Sequence, residues 1–213
     1  MGLGHSPRIV TNGIVGYWDA GNIRSYPGSG SSWLDLSGNG NHLTLVNSPT
    51  FTTNVFQFNG TNQYAFNNLN LSAGTSTIIG AARYSGATRG RMITSSNNNW
   101  LMGHHSTSTQ SFYAEGWVTA PGTGSSDTNW RILTATNDVT SDLYSLYVNS
   151  DRQNVATPAG GSAGPNGICV GCYKPALTEF STGECSFVLA YNRVLTQQEV
   201  KQNFNALRGR FGI

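Results

Sequence analysis

The stretch Tyr17–Asn47 constrains this chain more than any other. Ile14 to Trp18 alternates as a strand, with Ile14, Gly16 and Trp18 expected on one face and Val15 and Tyr17 on the other. It runs into Asp19-Ala20-Gly21-Asn22 and then Pro27-Gly28-Ser29-Gly30. A second apolar run, Trp33-Leu34-Asp35-Leu36, leads to Ser37-Gly38-Asn39-Gly40-Asn41-His42. Asn and Gly accept positive φ at low cost, so Asn39-Gly40 predicts a tight turn feeding a strand over 42–46. The pattern is that of a sandwich edge with polar loops at one end.

The rest of the chain repeats the signal. Short runs of β-formers separated by Ser/Asn/Gly turns recur at Val55–Asn59, Gln63–Phe66, Ser76–Arg83, Arg91–Thr94, Trp100–Gly103, Ser111–Ala114, Trp130–Thr136, Leu143–Asn149, Ile168–Tyr173 and Cys185–Tyr191. Regular short strands with turns between them argue for an antiparallel β-sandwich. The small residues of Thr77–Arg83 predict a central strand with close backbone approach. Phe187, Leu189 and Tyr191 on one face and Val188 and Ala190 on the other predict a strand covered on both sides. Trp117–Asn129 and Thr157–Gly167 read as loops. One helix is expected, from Thr196 to about Leu207: Thr196 and Glu199 form a capping box, Leu195 and Val200 a staple, and Val200, Phe204 and Leu207 a packing stripe.

Asp35-Leu36-Ser37-Gly38-Asn39-Gly40-Asn41-His42 resembles the signature that opens laminin-G-like, concanavalin A-like jelly-roll domains. With Tyr17-Trp18-Asp19-Ala20-Gly21-Asn22 and Ser25-Tyr26-Pro27-Gly28-Ser29-Gly30 before it, it is similar to the form found in structural proteins of tailed bacteriophages. Ala190–Val200 resembles the same family's terminal strand and helix, so the resemblance spans roughly residues 14 to 212. It implies an all-β concanavalin A-like (laminin-G-like) antiparallel jelly-roll sandwich with one C-terminal helix over 14–213, preceded by an arm over 1–13. The role it implies is a non-enzymatic virion protein, made in the host cytoplasm. As a capsid decoration or cement protein it would bind capsid or tail proteins of the same virion, as a homo-oligomer or multivalent array. The alternative is an adhesin module of a tail or fibre that binds a host-surface glycan; a glucan hydrolase is the third class, on fold alone.

Composition bears on these classes. Only 10% of the 213 residues are charged and the formal net charge is +2. The cations are scattered, where a phosphate-binding surface needs them clustered, so no nucleic-acid partner is expected. No apolar run approaches the ~20 residues of a membrane span, and MGLGHSPRIVTNG lacks the apolar core of a signal peptide, so membrane insertion and ordinary export are not expected. Three cysteines cannot form a complete disulfide framework. Cys169-Val170-Gly171-Cys172 has redox or zinc half-site spacing, but on a continuous strand residues three apart face opposite sides, which predicts free thiols.

Candidate site residues follow from chemistry. Sugar binding needs an aromatic platform beside amides or carboxylates, which nominates Trp100, Trp117 and Trp130, with Asn98 in the run Asn97-Asn98-Asn99. The family's calcium site places acids near a strand–turn where this chain has Asn59 and Gln63, leaving Asp19 and Asp35 as the candidate ligands for calcium, the one cofactor considered. His104-His105 reads as a solvated loop tip, and His42 as part of the opening turn. Glu115, Glu179, Glu184 and Glu199 lack the paired spacing that retaining glycoside hydrolysis uses, so no catalytic residue is assigned. Residues 1–13, with Arg8, Ile9 and Val10, read either as a disordered terminus or as an assembly arm lying on a neighbouring subunit.

Overall fold

The computed structural model describes residues 7–156 and 163–213. Residues 1–6 of the expected arm and 157–162 of the expected loop lie outside the described residues.

Among the described residues, sixteen strands and one α-helix follow in chain order. They are β1 (Ile14–Asp19), β2 (Ser32–Trp33), β3 (Leu43–Val46), β4 (Thr50–Thr52), β5 (Val55–Asn59), β6 (Tyr64–Phe66), β7 (Thr75–Arg89) and β8 (Ile93–Thr94). Then come β9 (Trp100–His105), β10 (Ser108–Ala114), β11 (Trp117–Thr119), β12 (Arg131–Asp138), β13 (Leu143–Val148), β14 (Asp151–Ala156), β15 (Cys169–Val170) and β16 (Ser181–Tyr191). The helix α1 (Gln197–Leu207) ends in a 3-10 turn, Arg208–Arg210. All pairings are antiparallel and build two sheets. The first runs β14-β13-β12-β7-β16-β5-β4, with β1 also on β16; the second runs β11-β10-β9-β8-β15-β6-β3-β2. The expected sandwich with one C-terminal helix is the observed fold.

The inner faces of the two sheets share one core that holds Trp18, Trp33, Trp100, Phe56, Phe112 and Tyr84. Gly80 lies at a close approach of the two sheets, since a Cβ there would sit 2.4 Å from Ile93 Cδ1. This is the close passage that the small residues of β7 predicted. A second, smaller core lies on the outer face of the first sheet, where Leu195, just before α1, and Val200 and Leu207 of α1 cluster with Ile79, Phe187 and Leu189. Strand β16 is therefore buried on both faces, with Val188 and Ala190 in the inner core and Phe187, Leu189 and Tyr191 in the outer. The helix has the expected capping box, Thr196 Oγ1 accepting from Glu199 N.

The opening motif is a hydrogen-bonded clamp on β1. Asp35 accepts from the backbone N–H of Tyr17 (2.9 Å), Ser37 (2.8 Å) and Asn41 (3.0 Å) and from the Ser37 hydroxyl. Asn41 Nδ2 donates to Val15 O, and Trp18 Nε1 donates to Asn41 O. The alternation expected within β1 is broken: a bulge between Ile14 and Gly16 puts Ile14 with Tyr17 in the outer core, and Val15 with Trp18 in the inner one. The expected loop after Trp117 begins with the short strand β11.

Candidate functional site

The outer face of the first sheet changes character along its strands. On β7 the outward residues run Ile79, Ala81, Arg83 and Ser85, apolar beneath α1 and polar beyond its end. On β16 the same change leads from Leu189 and Phe187 to Glu184 and Thr182; a bulge at Cys185/Phe187 keeps Cys185 facing inward. Glu184 pairs in register with Gln57 of β5 on one side and Arg83 of β7 on the other. Three polar side chains thus stand abreast where the helix stops covering the sheet.

They bond to one another. Gln57 Nε2 donates to Glu184 Oε1 (2.9 Å) and Arg83 Nε donates to Glu184 Oε2 (2.8 Å). The Glu184 side chain is 8% exposed and that of Arg83 34%, so the guanidinium edge faces solvent while the carboxylate holds it from below. The Arg83 guanidinium lies 5.0 Å from the Trp130 ring centroid, and Trp130 leans on Phe211, centroids 4.8 Å apart. These groups wall a cleft of about 330 Å³ that also reaches Arg210. A second depression of about 360 Å³, over Asn59, Gln63 and Thr182, shares Gln57 and Glu184 with the first. The two make one polar groove across β7, β16 and β5. It offers an aromatic wall, guanidinium donors, an amide and a carboxylate, the mixture that hydroxyl-rich ligands require. A single carboxylate lines it among the described residues, whereas two-carboxylate hydrolysis needs a facing pair.

Of the aromatic residues named from sequence, Trp130 forms a wall of this groove. Trp117 is 38% exposed on the outside of the second sheet, its ring edge-on to His105 (5.4 Å) and Tyr113 (5.0 Å). There Glu179 meets His105 Nε2 at 3.4 Å and Arg91 Nε at 2.7 Å; those partners pull its carboxyl down to about 2, against the effect of burial. Trp100 is corrected to a core residue: it is fully buried and its Nε1 donates to Asn137 Oδ1 (2.8 Å), so it presents no face to a ligand. Asn98 is corrected likewise, its amide donating to Gly164 O and accepting from Asn166 N to fasten a loop. His104 belongs to the interior, not to a loop tip.

The calcium ligands do not fit their role. Both Asp19 oxygens accept from Arg210 (2.6 and 2.8 Å), so a cation already occupies that carboxylate. Asp35 spends its oxygens on the clamp. The amides at 59 and 63 are put to another use: Asn59 Oδ1 accepts three backbone N–H bonds, and Gln63 Nε2 donates to Asn47 O and Ser48 O. Among the described residues no three His, Cys, Asp or Glu gather as a metal site. The described part of the arm is also placed on its own domain: Val10 N donates to Asn203 Oδ1, Tyr191 OH to Val10 O, and Gln202 Nε2 to Arg8 O, with Ile9 packed on the outer core.

Sequence reasoning missed Gln57, Arg83 and Glu184 as a unit, because three distant strands bring them together. The available signal was a glutamate as the one charged residue of the eleven-residue strand β16.

No protein-family model and no curated protein matches this chain. Solved structures do. A sialidase of Trypanosoma rangeli in complex with 2,3-difluorosialic acid matches with a TM-score of 0.69 at 17% identity, over 93% of this chain and 34% of the sialidase. The binding domain of Paraclostridial Mosquitocidal Protein 1 matches with a TM-score of 0.62 at 16% identity, over 92% of this chain and 52% of that one. The receptor binding domain of botulinum neurotoxin C/D mosaic serotype gives 0.62 at 12% identity, over 93% and 52%. The chain thus spans about a third of the sialidase and about half of each binding domain. At these identities the likeness is one of fold: this chain shares their antiparallel β-sandwich.

Proposed function

We propose that this chain is a non-enzymatic carbohydrate-binding module whose ligand lies in the groove centred on Gln57, Glu184 and Arg83, with Trp130 as its aromatic wall. The row of three bonded polar side chains beyond the end of α1, with the Arg83 guanidinium edge open to solvent, carries the proposal. A sheet face that is polar, concave and aromatic at one end suits a sugar, whose hydroxyls need donors and acceptors and whose C–H face needs a ring. Two of the fold neighbours are a binding domain and a receptor binding domain, which supports a binding role for this chain. The sugar's hydroxyls would bond the free edge of Arg83 and the Gln57 oxygen.

A glycan array followed by calorimetry on the best hit tests this. Trp130→Ala and Gln57→Ala are expected to weaken binding at least about tenfold, ~1.4 kcal/mol, with Trp117→Ala close to wild type. An array without hits, or loss only with Trp117→Ala, would reject the groove as the site. The virion setting, as capsid decoration or as a tail or fibre adhesin, rests on the opening motif alone. Electron cryomicroscopy of particles that contain the chain would test it.

A further inference from the structure

We propose that Cys169 and Cys172 form a reversible dithiol–disulfide pair that staples the segment 171–180 across the outside of the second sheet. Cys169 projects from β15 between Phe66 and Thr94. The strand ends after Val170, and Gly171 takes φ +100°, so the chain turns back instead of alternating. A Cβ at Gly171 would meet the Phe58 ring at 2.9 Å, which keeps that turn tight. The turn brings the two sulfurs to 3.8 Å, and Cys169 Sγ lies 3.7 Å from Cys172 O. The expectation that residues three apart point to opposite faces is thereby corrected. Closing a van der Waals contact to a bond of about 2.05 Å asks for side-chain rotation rather than a rearranged backbone.

The segment above the pair is tied at its far end, where Ser181 N donates to Gly171 O, Arg91 N donates to Glu179 O and the Glu179 carboxylate meets Arg91 and His105. Gly171 N donates to Met92 O, Tyr173 and Thr178 bridge one another, and the Arg91 guanidinium lies 4.2 Å from the Tyr173 ring centroid. Residues 175–179 are exposed. Burial pushes the Cys169 thiol well above its ordinary value and the neighbouring Cys172 adds to this, while Lys174, 4.5 Å over Phe66, opposes both. Reaction therefore proceeds through local opening of the segment, in which the cation of Lys174 favours the thiolate. One thiolate attacks a low-molecular-weight disulfide such as oxidised glutathione, forming a mixed disulfide and releasing one glutathione thiolate. The second cysteine then attacks the mixed disulfide and releases the other glutathione. Two protein thiols lose two electrons and two protons, and one glutathione disulfide becomes two thiols. Cys185 faces the inner core from the other sheet, its Sγ 3.7 Å from Phe187 O, and serves as an internal control.

The test incubates the native protein in glutathione redox buffers, quenches it with acid, alkylates it unfolded in denaturant, then digests and maps it by mass spectrometry, with hydrogen exchange on both forms. The expected result is a Cys169–Cys172 peptide that escapes alkylation and is shorter by two hydrogens, with Cys185 alkylated throughout. Exchange within 173–178 should slow by about tenfold on oxidation and recover with dithiothreitol. Cys172→Ser should stop at the glutathione adduct. Both thiols alkylated at an oxidising poise, or a bond to Cys185 or between chains, would overturn the pair. A bond without slowed exchange would overturn the staple.

Discussion

His104 shows how one side chain can set a pH dependence. It is fully buried, edge-on to Tyr84 at 4.8 Å, and neither ring nitrogen has a partner among the described residues. Burial, helped by the charge of Arg131, lowers its pKa from 6.5 to about 3. Between those values the unfolded chain binds a proton that the folded chain does not. Stability is therefore complete above pH 6.5 and falls as pH drops towards 3, by about 1.4 kcal/mol per pH unit. The carboxylates lowered by their partners, Asp127, Glu179 and Glu199, lose their contribution only below their ordinary range near 4.5, so the upper part of the window belongs to His104. Urea melts at pH 7 and pH 5 should differ by roughly 2 kcal/mol in the wild type. His104→Phe keeps the ring and removes the titration, so its two midpoints should nearly coincide; an unchanged pH slope would sink the assignment. Gly16 makes a second residue-scale case. A Cβ there would sit 2.2 Å from the Trp18 ring, which is fully buried and tied to Asn41 O. Gly16→Ala should cost about 1–3 kcal/mol or more by denaturant melt.

At the scale of elements, legibility followed the reach of the cause. The capping box of α1, the Asp35–His42 turn and the two-faced burial of β16 depend on residues close in sequence, and each was readable there. The bulge at Ile14/Gly16 and the turn at Gly171 were not. Both are single-residue breaks of alternation in otherwise plausible strands, and both are imposed by partners from elsewhere: Tyr191 and Ala190 across β1, and the Phe58 ring beneath Gly171. The same distinction separates Trp100 from Trp117. Each follows or precedes polar turn residues, and only the second sheet's placement sends one indole inward to Asn137 and the other out. The helix offers a local test. Thr196 Oγ1 accepts from Glu199 N, and the Glu199 carboxylate accepts from Thr196 N (2.9 Å) and from Arg193. Thr196→Ala should lower stability by about 1 kcal/mol in thermal melts while leaving the groove, beyond the helix's other end, able to bind.

For the whole molecule, the question is whether the Gln57–Glu184–Arg83 row exists for a ligand or only to neutralise a carboxylate within a sheet. The groove could not be read from sequence, because residues 57, 83, 130 and 184 meet only once β5, β16 and β7 are paired and α1 has stopped short. A double substitution separates the two roles. Arg83→Met alone leaves Glu184, 8% exposed, without its cation. The cost should be about 1–3 kcal/mol, below that of breaking a fully buried pair because Arg83 is partly solvated. Replacing both, Arg83→Met with Glu184→Met, removes the unpaired charge and should recover most of that loss, since ion pairs in such positions are often replaceable by apolar side chains of similar volume. If the row is only structural, glycan binding should return with stability. If it is the ligand site, the double variant should melt near the wild type and still fail to bind, because the guanidinium edge and the carboxylate are both gone. Urea melts and calorimetry on the same three proteins decide between these outcomes.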